Sequence, residues 1–185
     1  MEDKLAQAHE QLSRWQSPAD FISLVDEWPP DIVVQPANSF LREAWVLAEF
    51  VKLTQVNRVR LSDPDECWPD GYIDIDGTTK AVEITEAMEL NRRRGDELKV
   101  EDPPMRLDPV DAWVARAEQI PVSLQTSVER KAKKRYGSPA TLLVYLNISE
   151  WDIRQKETEK VIAEVKAEHA AAFEQIIVLW KYKLY

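Results

Sequence analysis

The sequence predicts an α/β protein: a mixed β-sheet, made of a three-strand meander followed by helix-strand-helix-strand, flanked by helices. Three observations predict it. Residues 58–87 hold three short alternating runs in succession, as adjacent antiparallel strands do. TLLVYLNI, 141–148, is a continuous apolar run of the kind a strand covered on both faces shows. Helical periodicity precedes and follows that run, so a strand-helix-strand crossover has an apolar helix stripe to bury against the sheet.

The elements follow in order. Leu5, Ala8, Leu12 and Trp15 recur at helical spacing, and a second short helix has Ser17 as cap, Pro18 in its first turn and Pro29-Pro30 as its stop. Residues 1–38 are therefore expected to be an N-terminal helical appendage to a core domain at 39–185. DIVVQP reads as extended. Asn38 or Ser39 can cap a helix over SFLREAWVLAEFVKLTQ, whose Phe40, Ala44, Leu47 and Val51 form one apolar stripe. RVRLS, GYIDID and TKAVEITEA are the meander strands. Residues 91–108 carry prolines and charges without a period and read as a long loop. Asp108 with Pro109 starts a helix to about Gln119, Pro121 interrupts it, and a second helix runs through VSLQTSVERKAKKRY to near Gly137. After TLLVYLNI, KETEKVIAEVKAEHAAAF is a helix and QIIVLWKYKLY a closing strand.

Composition narrows the function classes. The 185 residues, 44% of them hydrophobic, suffice for one buried core. A net charge of -9 repels polyanions at long range, so contact with nucleic acid requires a local basic patch. MEDKLAQAHEQLSRW lacks the features of a secretion signal and no run approaches a membrane span, so a soluble, cytoplasmic protein with no membrane contact is expected. Cys67 is the only cysteine, which excludes an internal disulfide, and His9 and His169 leave no cluster of zinc-ligand spacing. Trp15, Trp28, Trp45, Trp113 and Trp180 fall in apolar-periodic segments and are expected to fill core. Trp68 and Trp151 lie in loop-like stretches, where a ring covering the core edge is preferred to one stacking on a base, and neither is assigned a role.

The chemistry concentrates in PDGYIDIDGTTKAVEITEA, 69–87, which carries five carboxylates. Asp76-Gly77 suits the positive φ angles of a two-residue hairpin loop. Counting back from it pairs Ile75 with Thr78, Asp74 with Thr79, Tyr72 with Ala81, and Asp70 with Glu83. Opposed Cβ atoms lie roughly 4.5–5.5 Å apart, where two bare carboxylates repel unless a cation or a shared proton lies between them. A four-residue loop leaves Asp70 diagonal to Glu83 on the same face, whereas a three-residue loop breaks the pair. Glu83 and Thr85 share that face, and Val82, Ile84 and Glu86 take the other. Asp74 and Asp76, nearer the turn, are expected to be solvated. A hairpin that merely shows an acidic face to water at a sheet edge is the bland alternative.

Pro69-Asp70, a short strand, a turn and then Glu83-Ile84-Thr85 resemble the core motif of the PD-(D/E)XK nuclease superfamily, the restriction-endonuclease-like fold. The order of elements from about Ser39 to Tyr185 is similar to that fold's common core. The resemblance implies a metal-dependent phosphodiesterase acting on DNA or RNA, with Mg²⁺ or Mn²⁺ held by Asp70, Glu83 and the carbonyl of Ile84. It also implies an acid from the first core helix. Glu43 lies roughly 60° from the centre of the apolar stripe and Glu49 nearly opposite, so geometry prefers Glu43. The motif lysine is replaced by Thr85, and Lys80 is on the wrong face. Lys131, from the following helix, is the candidate for steadying the attacking water, with Thr85 or a water completing the metal shell. Gln125, about two turns earlier, is a further inward candidate. Arg92, Arg93 and Arg94, and Arg130, Lys131, Lys133, Lys134 and Arg135, are candidate phosphate contacts. The alternative is a catalytically inactive domain of the same fold that binds nucleic acid or a protein partner. A third reading is an interaction module whose acids are merely solvated. The family often forms homodimers, and no patch in this sequence argues for one.

Overall fold

The structure, a computed structural model, describes residues 2–90, 109–134 and 140–185. The expected loop at 91–108, with Arg92, Arg93, Arg94 and Asp108, lies outside the described residues, as do Arg135 and Gly137. The elements are α1 (Glu2–Leu12), α2 (Pro18–Asp26), α3 (Pro30–Val33), α4 (Ser39–Val51), β1 (Arg58–Leu61), β2 (Gly71–Ile75), β3 (Thr78–Met88), α5 (Val110–Ala132), β4 (Thr141–Asn147), α6 (Gln155–Glu168), β5 (Gln175–Trp180) and β6 (Lys183–Leu184). Hydrogen bonding orders the strands β1-β2-β3-β4-β5-β6 in a mixed, open sheet flanked by helices. Residues 1–84 with 138–141 form one compact unit, and 85–137 with 142–185 a second, so that β3 contributes residues to both. Among the described residues no helix is long and apolar enough to cross a membrane.

In the first unit, Ser17 caps α2 as its sequence position requires, its Oγ accepting the Asp20 N–H at 3.2 Å. DIVV is a helical turn rather than the expected extended piece. Pro30 sits at the first helical position, where its fixed φ favours the turn, and the Val34 N–H closes it on the Pro30 carbonyl at 3.1 Å. Asn38 stands at the cap position of α4, but its side chain donates back to the Ile32 carbonyl at 2.9 Å and caps nothing. α4 stops at Val51, short of Gln55, and Thr54 Oγ1 bonds the Phe50 carbonyl at 3.0 Å, a local side-chain bond that competes with further helix. Leu12, Phe21, Leu41, Leu47, Val59, Leu61, Ile73 and Val82 form the buried interior. Residues 1–38 belong to this interior: Gln16 and Val59 exchange backbone hydrogen bonds at 3.1 and 3.0 Å, Ser13 Oγ donates to the Ser62 carbonyl at 2.7 Å, and His9 stacks on Phe40 at 4.3 Å.

In the second unit, α5 and α6 cover β4 and β5 through Ile120, Leu124, Val128, Ile162 and Val165, against Leu142, Val144 and Val178. α5 is one helix of 23 residues with Pro121 inside it, not two helices broken there. Its buried residues Ala117, Ile120, Leu124 and Val128 run past the proline on both sides, and burying that stripe offsets the roughly 3 kcal/mol a mid-helix proline costs. α6 ends at Glu168, and Ala170–Ala172 form a 3-10 turn instead of more α-helix. The closing segment is a hairpin rather than one strand: Lys181 and Tyr182 adopt φ of 50° and 57°, which reverses the chain and pairs β6 with β5. Of the five tryptophans expected in core, Trp180 is buried, while Trp15, Trp28, Trp45 and Trp113 are half-buried boundary residues.

Candidate functional site

The β2–β3 hairpin has the two-residue loop Asp76-Gly77, with φ of 51° and 81°. Its register includes Ile75↔Thr78, Asp74↔Thr79 and Tyr72↔Ala81, three of the pairs the sequence predicts, and ends at Gly71↔Val82. Continued one step beyond its last pair, that register would set Asp70, in the bend before β2, opposite Glu83 on the face of Tyr72 and Ala81. The Asn57 N–H bonds the Asp74 carbonyl at 2.8 Å and the Ser62 N–H bonds the Asp70 carbonyl at 3.2 Å. The main chain of alternate residues 70, 72 and 74 therefore looks toward β1, and their pairs across to β3 are of the non-hydrogen-bonded type, in which side chains approach most closely.

The ladder ends at Pro69 for a chemical reason. Proline has no N–H to exchange with Ile84, and its own carbonyl accepts from Ser62 Oγ. The amide that the ladder would have used is taken by a side chain instead: Asp70 Oδ2 accepts the Ile84 N–H at 2.6 Å.

Burial separates the acids in a way that alternation alone does not. Glu83 is 2% exposed and Thr85 5%, so this part of β3 is not a water-facing edge. Asp74, expected to be solvated, is 4% exposed; it accepts from Arg58 Nη2 at 3.0 Å and from the Gly77 N–H at 3.2 Å, a structural role. Asp76, in the loop, is exposed. Glu43 is half-buried on α4. Glu49, expected to face away from the buried stripe, has a side chain only 12% exposed and pairs with Lys52 at 2.7 Å, because the buried face of α4 is broader than four residues. Among the described residues no three His, Cys, Asp or Glu side chains gather into a ready-made cage. What the first unit shows at this place is the Ile84 N–H held by the Asp70 carboxylate, next along β3 to the buried Glu83.

In the second unit, Thr85 Oγ1 accepts a hydrogen bond from Arg130 Nη2 at 3.0 Å. Lys131, the next residue of α5, is 9% exposed. Gln125 turns to the end of α6, its Nε2 lying 3.0 Å from Glu129, 3.1 Å from Glu168 and 3.2 Å from His169 Nε2. Glu86 accepts from Asn147 at 2.7 Å and, through its carbonyl, from Ser127 at 3.1 Å. Lys133 pairs with Glu129 at 3.2 Å and, like Lys134, is exposed.

Sequence reasoning missed two arrangements. One is the Arg130–Thr85 contact, for which no local signal exists. The other flanks Asp70: Arg60 lies over the Tyr72 ring at 4.2 Å and the Trp15 ring at 5.6 Å, and Arg58 lies over Trp15 at 5.2 Å. Burial, and next the Glu66 carboxylate, push the Tyr72 phenol above its ordinary value, with Arg60 pulling the other way. The alternation of Arg58 and Arg60 in β1 was the available clue, since both share the face that Tyr72 and Asp74 take on β2. Comparison with protein-family models, with curated proteins and with solved structures finds no match for this chain, so the motif residues and their geometry carry the functional argument alone.

Proposed function

We propose that this protein is a metal-dependent phosphodiesterase acting on nucleic acid, with the restriction-endonuclease-like arrangement of its motif residues. The observation that supports the proposal is the hairpin register ending at Gly71↔Val82, whose next step would face Asp70 with Glu83, on a strand where Glu83 is almost wholly buried. Acids so placed favour a cation between them. The donors are all oxygen: two carboxylates and the carbonyl of Ile84. That set suits Mg²⁺ or Mn²⁺, which bind through one or two carboxylates and keep several waters, so a third acid is not required. Such an ion, when bound, lowers the pKa of a coordinated water and offsets the charge that develops on a phosphodiester. Asp70 and Glu83 would hold it, the Ile84 N–H fixes the orientation of the Asp70 carboxylate, and Glu43 is assigned an outer position. By the resemblance alone, Lys131 takes the part of the motif lysine and Thr85 stands at the motif position itself. The likeness of fold adds analogy only.

Labelled single-stranded DNA, duplex DNA and RNA, each incubated with Mg²⁺ or Mn²⁺, test the activity. Wild type is expected to cut at least one of them, and Asp70→Ala and Glu83→Gln to cut none. Lys131→Ala is expected to lose cleavage while keeping metal; full activity in that variant removes Lys131 from the mechanism. The second reading, an inactive domain that binds nucleic acid or protein, is favoured by Thr85 at the motif-lysine position, held there by Arg130. Metal binding with no cleavage of any substrate would select it.

A further inference from the structure

Two turns of the second unit carry a display of aromatic rings that the acid pair does not explain. Trp151 and Asp152 have φ of 51° and 60°, and Lys181 and Tyr182 have 50° and 57°. All four are non-glycine residues in the left-handed region, which persists only where the surroundings enforce it. A tight hairpin loop with two positive φ angles ordinarily takes Asn-Gly. Here Lys-Tyr occupies it, and the reason lies across the chain. Glu150 is fully buried, accepts the Arg154 N–H at 2.7 Å and is ion-paired with Lys181 Nζ. Lys181 also reaches Asp152 at 2.6 Å. One lysine thus ties turn 150–154 to turn 181–182.

What the tie holds out is aromatic: Trp151 is 68% exposed and Tyr182 77%. Trp113 backs Trp151 at 5.4 Å with a tilt of 53°, which orients its ring. The hairpin 175–185 contains two lysines and no Asp or Glu, and Lys183 is exposed beside Tyr182. The rings are set among charged groups, Asp152, Lys181, Lys183 and Arg154, and so do not form the charge-depleted apolar centre that a protein partner would cover. An unpaired base offers a flat face to each ring, and its phosphate offers an anion to lysine. A duplex hides those faces.

We propose that Trp151 and Tyr182 form a stacking platform for unpaired bases of a single-stranded nucleic acid, with Lys183 contacting phosphate. This rests on the nucleic-acid reading above. The test is fluorescence anisotropy of a labelled oligothymidylate at low salt in EDTA, alongside thermal melting. The double variant Trp151→Ala, Tyr182→Ala should weaken binding on the order of tenfold or more, and Trp151→Phe, Tyr182→Phe should stay within about twofold of wild type, with all three melting alike. Wild-type affinity in the alanine pair, or no binding by wild type, overturns the proposal. So does a wild-type dimer in sedimentation that the alanine pair dissolves, since the rings would then meet a second copy of the chain. EDTA makes the outcome independent of any cation at Asp70 and Glu83, so a failure here and a failure of the acid pair are told apart.

Discussion

Three acids of one hairpin, all within seven residues, end in different environments because different groups reach them. Asp74 meets Arg58, sixteen positions earlier in the chain, and becomes structural; Asp70 meets the amide that Pro69 leaves unused; Asp76 meets water. The hairpin register was legible in the sequence because it depends on a local count from Asp76-Gly77. The burial of Asp74 and the grip of Arg130 on Thr85 were not, because each partner arrives from another element. His9 gives a prediction at the same scale. Burial lowers its pKa from 6.5, with the Asp63 carboxylate pulling the other way, and its ring lies flat against Phe40. The folded chain therefore keeps His9 neutral while the unfolded chain takes up a proton below pH 6.5, so this contribution is complete above 6.5 and is lost as pH falls from there toward the lowered folded value. The melting temperature should drop between about pH 7.5 and about pH 5.5, and His9→Gln should flatten the drop. An equal drop in that variant would remove His9 as its source.

Elements followed the sequence wherever one face had to be buried, and departed from it where tertiary packing overruled a local signal. Pro121 is a strong breaker in isolation, yet the apolar stripe of α5 spans it. The lysine and tyrosine of the closing segment carry no turn signal, yet the chain reverses there because Lys181 is held by Glu150 and Asp152. α4 and β2 meet at Gly71, where an added Cβ would lie 2.9 Å from the Arg60 carbonyl oxygen and 3.1 Å from Leu47 Cδ2. Backbone cannot yield as a side-chain end can. Gly71→Ala should cost about 2 kcal/mol in urea unfolding, by overpacking. An unchanged midpoint would mean that α4 does not press on the meander as closely as these distances require. The glycine adjoins Asp70, so the same close packing sets where β2 begins.

Over the whole molecule, the α/β class, the meander and the later strand-helix-strand order were all readable from periodicity. The extent to which residues 1–38 join the interior was not, because Ser13, Gln16 and His9 find their partners in β1, the segment that follows it and α4, and no spacing within the helices announces that. The net charge of -9 places a further demand on the site: a cation held between two acids is favoured by the surrounding field, whereas a polyanion must be met locally. The decisive measurement is calorimetric titration of Mn²⁺ into wild type, Asp70→Ala and Glu83→Gln, each checked for an unchanged fold by circular dichroism. Saturable binding to wild type that both variants lose is the expected result. Equal binding in all three, or none to wild type at millimolar ion, would contradict it.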